Sequence, residues 1–220
     1  MSWFVIKNKL NGQDRSGLDK RVAEAEKKTG TEIVLSVIER CDSYPELPWK
    51  AFALGASLTG LAIMAITIIQ AVWISGLTAL FIVVGILAVG AINALLCVFV
   101  PGFARIFLDR ERAEMETRQY AESLFLTREL FATKKRTGIL VLIGLFERQV
   151  VLLPDTGLSD HMDQKRLEGI IARMTKTLAS GRVADALEEG VQGLEEVLSG
   201  TASSKSKNEL SNNVIEEEGS

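Results

Sequence analysis

Residues 51–104 lack any charged side chain, and no other part of the 220-residue sequence is free of charge over a comparable length. A hydrocarbon core about 30 Å thick needs roughly 20 apolar residues in helical form. The interval is therefore long enough for two crossings and a tight connection. It excludes an ordinary buried hairpin, because the remaining residues are too few to wrap one. Cysteine is scarce too. Cys41 and Cys97 are the only two, and the second lies inside the charge-free interval. That excludes a disulfide framework and agrees with a reducing compartment. His161 is the single histidine; with no His, Cys or Glu at ligand spacing, it excludes the usual zinc arrangement. Neither a GxGxxG nor a GxxxxGK[ST] pattern occurs, so nucleotide binding lacks its backbone cradle. The net charge of −3 and the absence of a long Lys/Arg run exclude a nucleic-acid partner. The first 20 residues hold no apolar core of a signal peptide, so no cleaved leader is expected. Nothing in the pattern calls for a cofactor.

The charge-free interval resolves into candidate spans at 51–70 and 77–100, joined by Ala71-Val72-Trp73-Ile74-Ser75-Gly76. Arg40 and Lys50 precede it; Arg105, Arg110, Arg112 and Arg118 follow it; the connection has no basic residue. Positively charged flanks stay on the cytoplasmic side. The expectation is an integral protein of the cytoplasmic (inner) membrane, embedded in its lipid bilayer with both termini cytoplasmic. No charge lies within the spans, which argues against an ion or proton path of their own. Ala56 and Gly60 form a small-residue face, and Gln70 and Asn93 are polar. Such residues either pack the two helices on each other or dock a membrane-protein partner.

The flanking segments read as an α/β domain. Ser16 stands as a helix N-cap, with Asp19 in the first turn. Leu18, Val22 and Ala25 share a face, and Gly30 ends the helix. Residues 32–39 read as a strand with Ile33, Leu35 and Val37 on one side and Val34, Ser36 and Ile38 on the other, the pattern of a strand covered on both faces. A charged helix is expected over 103–133, a strand over 139–146, a turn at Glu147-Arg148 and a strand over 149–153. Met162, Leu167, Ile170, Ile171, Met174 and Leu178 recur at helical spacing. So do Val183, Leu187, Val191, Leu194 and Leu198, after Gly181. Residues 1–11, with Trp3-Phe4-Val5-Ile6, fit a strand, a helix start or an interfacial anchor equally. The expected division is 1–50 and 101–199 as two parts of one domain, 51–100 as the hairpin, and 200–220 as a disordered tail too polar to offset its ordering entropy.

Thr29-Gly30-Thr31-Glu32-Ile33-Val34-Leu35-Ser36-Val37-Ile38-Glu39-Arg40 echoes Thr137-Gly138-Ile139-Leu140-Val141-Leu142-Ile143-Gly144-Leu145-Phe146-Glu147-Arg148 without a gap. Either the two are related helix–strand units, or two helix-to-strand turns meet the same physical demands. These segments, with Glu26-Lys27-Lys28, Gln149-Val150 and Thr156-Gly157-Leu158, resemble the TPM domain, in particular a bacterial subgroup with a transmembrane hairpin inside the domain. The resemblance covers about 120 residues and is most specific from Thr137 to Leu158. It implies a sheet of about four strands with helices on both faces. Its members include non-catalytic assembly or auxiliary subunits and plant acid phosphatases with a calcium-dependent site. The family's metal site uses carboxylates in the turn before the second strand, commonly Asp-Asn-Gly; here that turn reads Arg136-Thr137-Gly138.

Asp155, Asp160 and Asp163 are the nearest approach to a metal cluster, with Ser159 and His161 among them. A calcium ion takes six to eight oxygens from converging groups, whereas Asp residues at a helix start ordinarily cap it. Lys134, Lys135 and Arg136 make a basic turn that could hold an anion. No catalytic set emerges. The expected role is a membrane-anchored accessory or assembly protein that presents a TPM-like domain at the cytoplasmic face to a membrane-protein partner; the alternative is a membrane-anchored, metal-dependent phosphatase.

Overall fold

The computed structural model describes residues 10–70, 73, 75–158, 162–198 and 214–219. The chain divides into two compact units, Met1–Asp42 with Ala113–Ser220, and Ser43–Arg112.

The first unit is a four-stranded sheet between helices. α1 (Gly12–Thr29) is capped by Asn11, five residues before the expected cap Ser16. The Asn11 side chain accepts from the backbone of Asp14, and Asp14 Oδ2 accepts from Asn11 N at 3.2 Å, a reciprocal capping box. Gly30 ends α1 in the left-handed region at φ 70°, as the sequence predicts. β1 (Glu32–Arg40) pairs in parallel with β2 (Gly138–Gly144), which pairs antiparallel with β3 (Gln149–Pro154). The turn between β2 and β3 places Arg148 at φ 57°. α5 (Arg110–Thr127), α6 (Gln164–Leu178) and α7 (Val183–Leu198) supply further helices.

The alternation along the strands decides the layers. Ile33, Leu35, Val37, Ile139, Val141 and Ile143 join α1, α6 and α7 in one core; Val34, Ile38, Leu140 and Leu142 join α5 through Ala121, Leu124 and Phe125 in another. β1 and β2 are thus covered on both faces, which explains their near-continuous apolar sequence.

Two expectations need correction. Residues 215–219, read as part of a disordered tail, form β4 (Ile215–Gly219), which pairs in parallel with the outer edge of β1 to give the order β3-β2-β1-β4. Strand pairing satisfies backbone groups whatever the side-chain composition, so polarity alone did not exclude it. The charged helix expected over 103–133 is interrupted. α4 (Pro101–Ala104) passes into a 3-10 turn, Arg105–Phe107, and α5 begins afresh where Asp109 Oδ1 accepts from Glu111 N at 2.9 Å and Arg112 N at 3.3 Å. A second 3-10 turn, Leu130–Ala132, follows α5.

The second unit is an antiparallel-type hairpin in sequence order: α2 (Glu46–Gln70), then α3 (Gly76–Phe99) capped by Ser75. Both are long and apolar enough to cross a membrane. At 25 and 24 residues and 1.5 Å per residue, each exceeds a hydrocarbon core of about 30 Å. Thr59, Thr67 and Asn93 each donate to the carbonyl four residues back, at 2.8, 2.9 and 2.9 Å, so these polar groups are satisfied within their own helix. Two glycines let the helices approach: Phe52 lies on Gly90, and the Asn93 amide lies on Gly55, where an added Cβ would stand 2.6 Å from Nδ2. Large apolar side chains such as Leu58, Leu61, Phe81 and Leu95 stay exposed.

Candidate functional site

The corner where β2 begins and β3 ends brings the sequence candidates nearest to chemistry. Lys134, Lys135 and Arg136 follow the 3-10 turn Leu130–Ala132 and lie exposed. Thr133 fixes their turn: its carbonyl accepts from Arg136 N at 3.0 Å and its hydroxyl from Thr137 N at 3.0 Å. Arg136 is held at φ 56°. Across from it, Asp155 follows β3, tied by its N–H to Gly138 O at 2.8 Å. The 3-10 turn Thr156–Leu158 then folds under, with Gly157 N donating to Arg136 O at 2.9 Å. A Cβ on Gly157 would sit 2.2 Å from Lys135 O, so only glycine permits this approach.

Asp155 is buried, and its carboxylate is engaged. Oδ1 accepts from Thr156 N at 2.7 Å and from Arg136 Nε at 3.1 Å, while Oδ2 lies 3.0 Å from the same Nε. The Arg136 guanidinium also stands 5.9 Å from the Phe131 ring. Asp163 is the N-cap of α6, its Oδ1 accepting from Arg166 N at 2.8 Å. Asp160, Ser159 and His161 fall outside the described residues. Among the described residues, no three of His, Cys, Asp or Glu gather as metal ligands. Among the described residues, the donors at this corner do not make up the set that the metal implied by the TPM resemblance needs. The corner's buried carboxylate faces the Arg136 guanidinium, and Asp163 caps α6. Arg136 likewise turns its guanidinium onto Asp155.

A second buried carboxylate, Glu147, closes the opposite end of the strands. Its Oε1 accepts from Cys41 N at 2.9 Å. Burial, and then the negative charge of Glu147, push the Cys41 thiol well above its ordinary range. It stays protonated near neutral pH and is no nucleophile. On the surface, Lys28 and Arg21 each donate to Glu195 at 2.6 Å, and these bonds, Lys28 first, hold its carboxyl below its usual range. These groups join α1 to α7 and leave no reactive pair.

The Thr-Gly echo does not mark equivalent positions. Glu32 pairs with Gly138, so the adjacent strands run two residues out of the echo's alignment. Gly30 is a left-handed helix stop, whereas the left-handed residue at the second turn is Arg136 and Gly138 is already in β2. The two turns meet different demands: Gly138 is required because a Cβ would stand 2.5 Å from Leu130 O.

Sequence comparison now bears on this corner. Residues 100–197 match the family model described as TPM_phosphatase, TPM domain. Residues 100–197 carry a TPM domain. The match begins at the end of α3 and takes in β2, β3, α6 and α7; the sheet pairing adds β1 to the same fold. A solved structure, the NMR structure of BA42 protein from the psychrophilic bacterium Bizionia argentinensis, is similar over 96% of this chain and 98% of its own, with a TM-score of 0.57 and 12% sequence identity. At that identity the likeness concerns the fold. A search of curated proteins gives no match.

The Arg136–Asp155 pair was missed in the sequence because the two residues lie 19 apart and were read as separate features. A basic residue in the turn before β2, opposite a single Asp just after β3, is the signal that could have joined them.

Proposed function

We propose that this TPM protein is a membrane-anchored accessory or assembly subunit, not a metal-dependent phosphatase. The observation that carries the reading is the buried Asp155 carboxylate neutralised by Arg136. Phosphoester hydrolysis needs an activated nucleophile, plus metals or cationic groups placed on the developing charge. At this corner the carboxylate is the partner of an arginine, and the cation is the partner of the carboxylate. Neither is left in position to activate water. The word phosphatase in the family description is therefore not carried over to this chain.

The hairpin supplies the anchor and the docking surface. Its exposed apolar side chains suit lipid or another transmembrane helix. Gln70, exposed at the end of α2, and the half-buried Ala56 offer a polar and a small contact there. Asn93 and Gly60 turn inward, Gly60 to within 3.7 Å of Ile86 Cδ1 from a built Cβ. A photoreactive residue at Leu58 or Leu95, activated in native membranes, is expected to give a discrete adduct with another membrane protein. Adducts with lipid alone would contradict the accessory role.

The flanking arginines and Lys50 place both termini on the cytoplasmic side in this reading. A reporter active only outside the cytoplasm, fused after Ser220, is expected to stay silent. A strong signal would reverse the topology.

A further inference from the structure

The outer edge of β1 is closed in two different ways. Near its start, Ile33 N donates at 2.9 Å to Oε1 of Glu26, a buried side chain of α1. Further along, β4 takes over, with Ser36 opposite Ile215, Val37 opposite Glu216 and Arg40 opposite Gly219. The first half is thus capped by a carboxylate and the second by a five-residue strand that follows the last helix. A strand edge pairs with any extended chain that reaches it, and side chains then decide which chain is accepted.

The acceptance rules are visible in the resident strand. Val214 packs at the margin of the core shared with α1, α6 and α7, and Ile215 at the margin of the core shared with α5. Val214 N donates to Asp19 Oδ1 at 3.3 Å. Glu216 bridges two donors, accepting from Leu10 N at 3.0 Å and from the Arg15 guanidinium. An apolar pair straddling the sheet and a carboxylate immediately after it are therefore the features read. Fifteen residues, 199–213, separate this segment from α7.

We propose that the β1 edge from Ser36 to Arg40 is a docking edge for an extended segment of a partner protein in which two apolar residues precede a carboxylate, and that residues 214–219 are its intramolecular occupant. The proposal stands independently of whether the protein is an accessory subunit.

The test uses the full chain in mild detergent and a fluorescent peptide of the sequence of residues 213–220. In the Ile215→Lys/Glu216→Lys chain the resident strand is displaced. Hydrogen exchange should then accelerate at Val37 and Glu39, whose N–H groups face β4, while Ser36 and Ile38, which face β2, stay protected. This chain is expected to bind the peptide saturably and at least tenfold more tightly than the wild-type chain does. A peptide carrying Glu216→Lys should lose at least tenfold. Adding Arg15→Glu to the chain should reverse that preference, favouring the Glu216→Lys peptide. Equal or absent binding by the opened chain would overturn the proposal. So would an edge that remains protected in the double variant, because residues 215 and 216 would then not be what holds the segment. An Arg15→Glu chain with its own strand sequence intact gives a second route, and exchange at Val37 and Glu39 unchanged from wild type would count against the proposal equally.

Discussion

Leu142→Asp should abolish the folded TPM domain. Leu142 is fully buried in the core between the sheet and α5, in a strand paired on both sides. Truncating a buried leucine costs about 2–5 kcal/mol. A carboxylate placed there without a partner adds several kcal/mol more, even after relaxation. The sum is on the scale of the whole stability of a domain, about 5–15 kcal/mol. Leu35→Asp, on the opposite face and against α1, α6 and α7, should do the same. Limited proteolysis in detergent gives the readout: both variants should be cut rapidly through β2 and α6, while Leu142→Met, which keeps volume and polarity, should remain resistant. Resistance close to wild type in both Asp variants would mean that the two-faced sheet is wrong.

Arg136→Met is the second large effect, and it separates a structural corner from a catalytic one. The substitution leaves Asp155 buried with the N–H and the hydroxyl of Thr156, at 2.7 and 3.4 Å from Oδ1, as its remaining donors among those described at this corner. Hydrogen bonds to charged groups contribute about 1.5–3 kcal/mol. Arg136 is half exposed, so water replaces part of the loss. About 2 kcal/mol of destabilisation is expected. Asp155→Ala should cost a similar amount. The double variant should recover part of the loss, since neither charge is then left facing an absent partner, with a coupling of about 1 kcal/mol or more in the cycle. Thermal unfolding of the four proteins measures it. Strict additivity would show that the pair does not hold the corner together.

The parts of this fold that the sequence displayed are those governed by local chemistry. The charge-free interval fell on α2 and α3, although α2 begins at Glu46, five residues before the expected 51, with Lys50 inside it. Alternation along 32–39 assigned both faces of β1, because burial on two sides leaves few alternatives. Gly30 read correctly as a stop. What was not legible depends on contacts made at a distance. β4 has only Val214 and Ile215 as an apolar signal, and it is placed by pairing with β1 and by the reach of Glu216 to Arg15, 201 residues away in sequence. The break before α5 depends on Asp109 using its carboxylate as a cap, which looks like one more solvated charge in a Glu- and Arg-rich stretch. The start of α1 depends on a reciprocal pair, Asn11 and Asp14, outweighing the simpler cap at Ser16. At the site, Asp155 and Arg136 were each visible. Their pairing was not, because the antiparallel return of β3 is what brings them together.

The central proposal is that Asp155, the buried carboxylate at this corner of the TPM domain, is neutralised by Arg136 and supports no metal-assisted chemistry. Hydrolysis of a generic aryl phosphate by the purified full chain, titrated with calcium and with magnesium beside a mock preparation, tests it most directly. The account predicts no metal-stimulated rate above the mock, and no change on Asp155→Asn with Asp160→Asn. A robust calcium- or magnesium-dependent rate, abolished by those two substitutions, would contradict it.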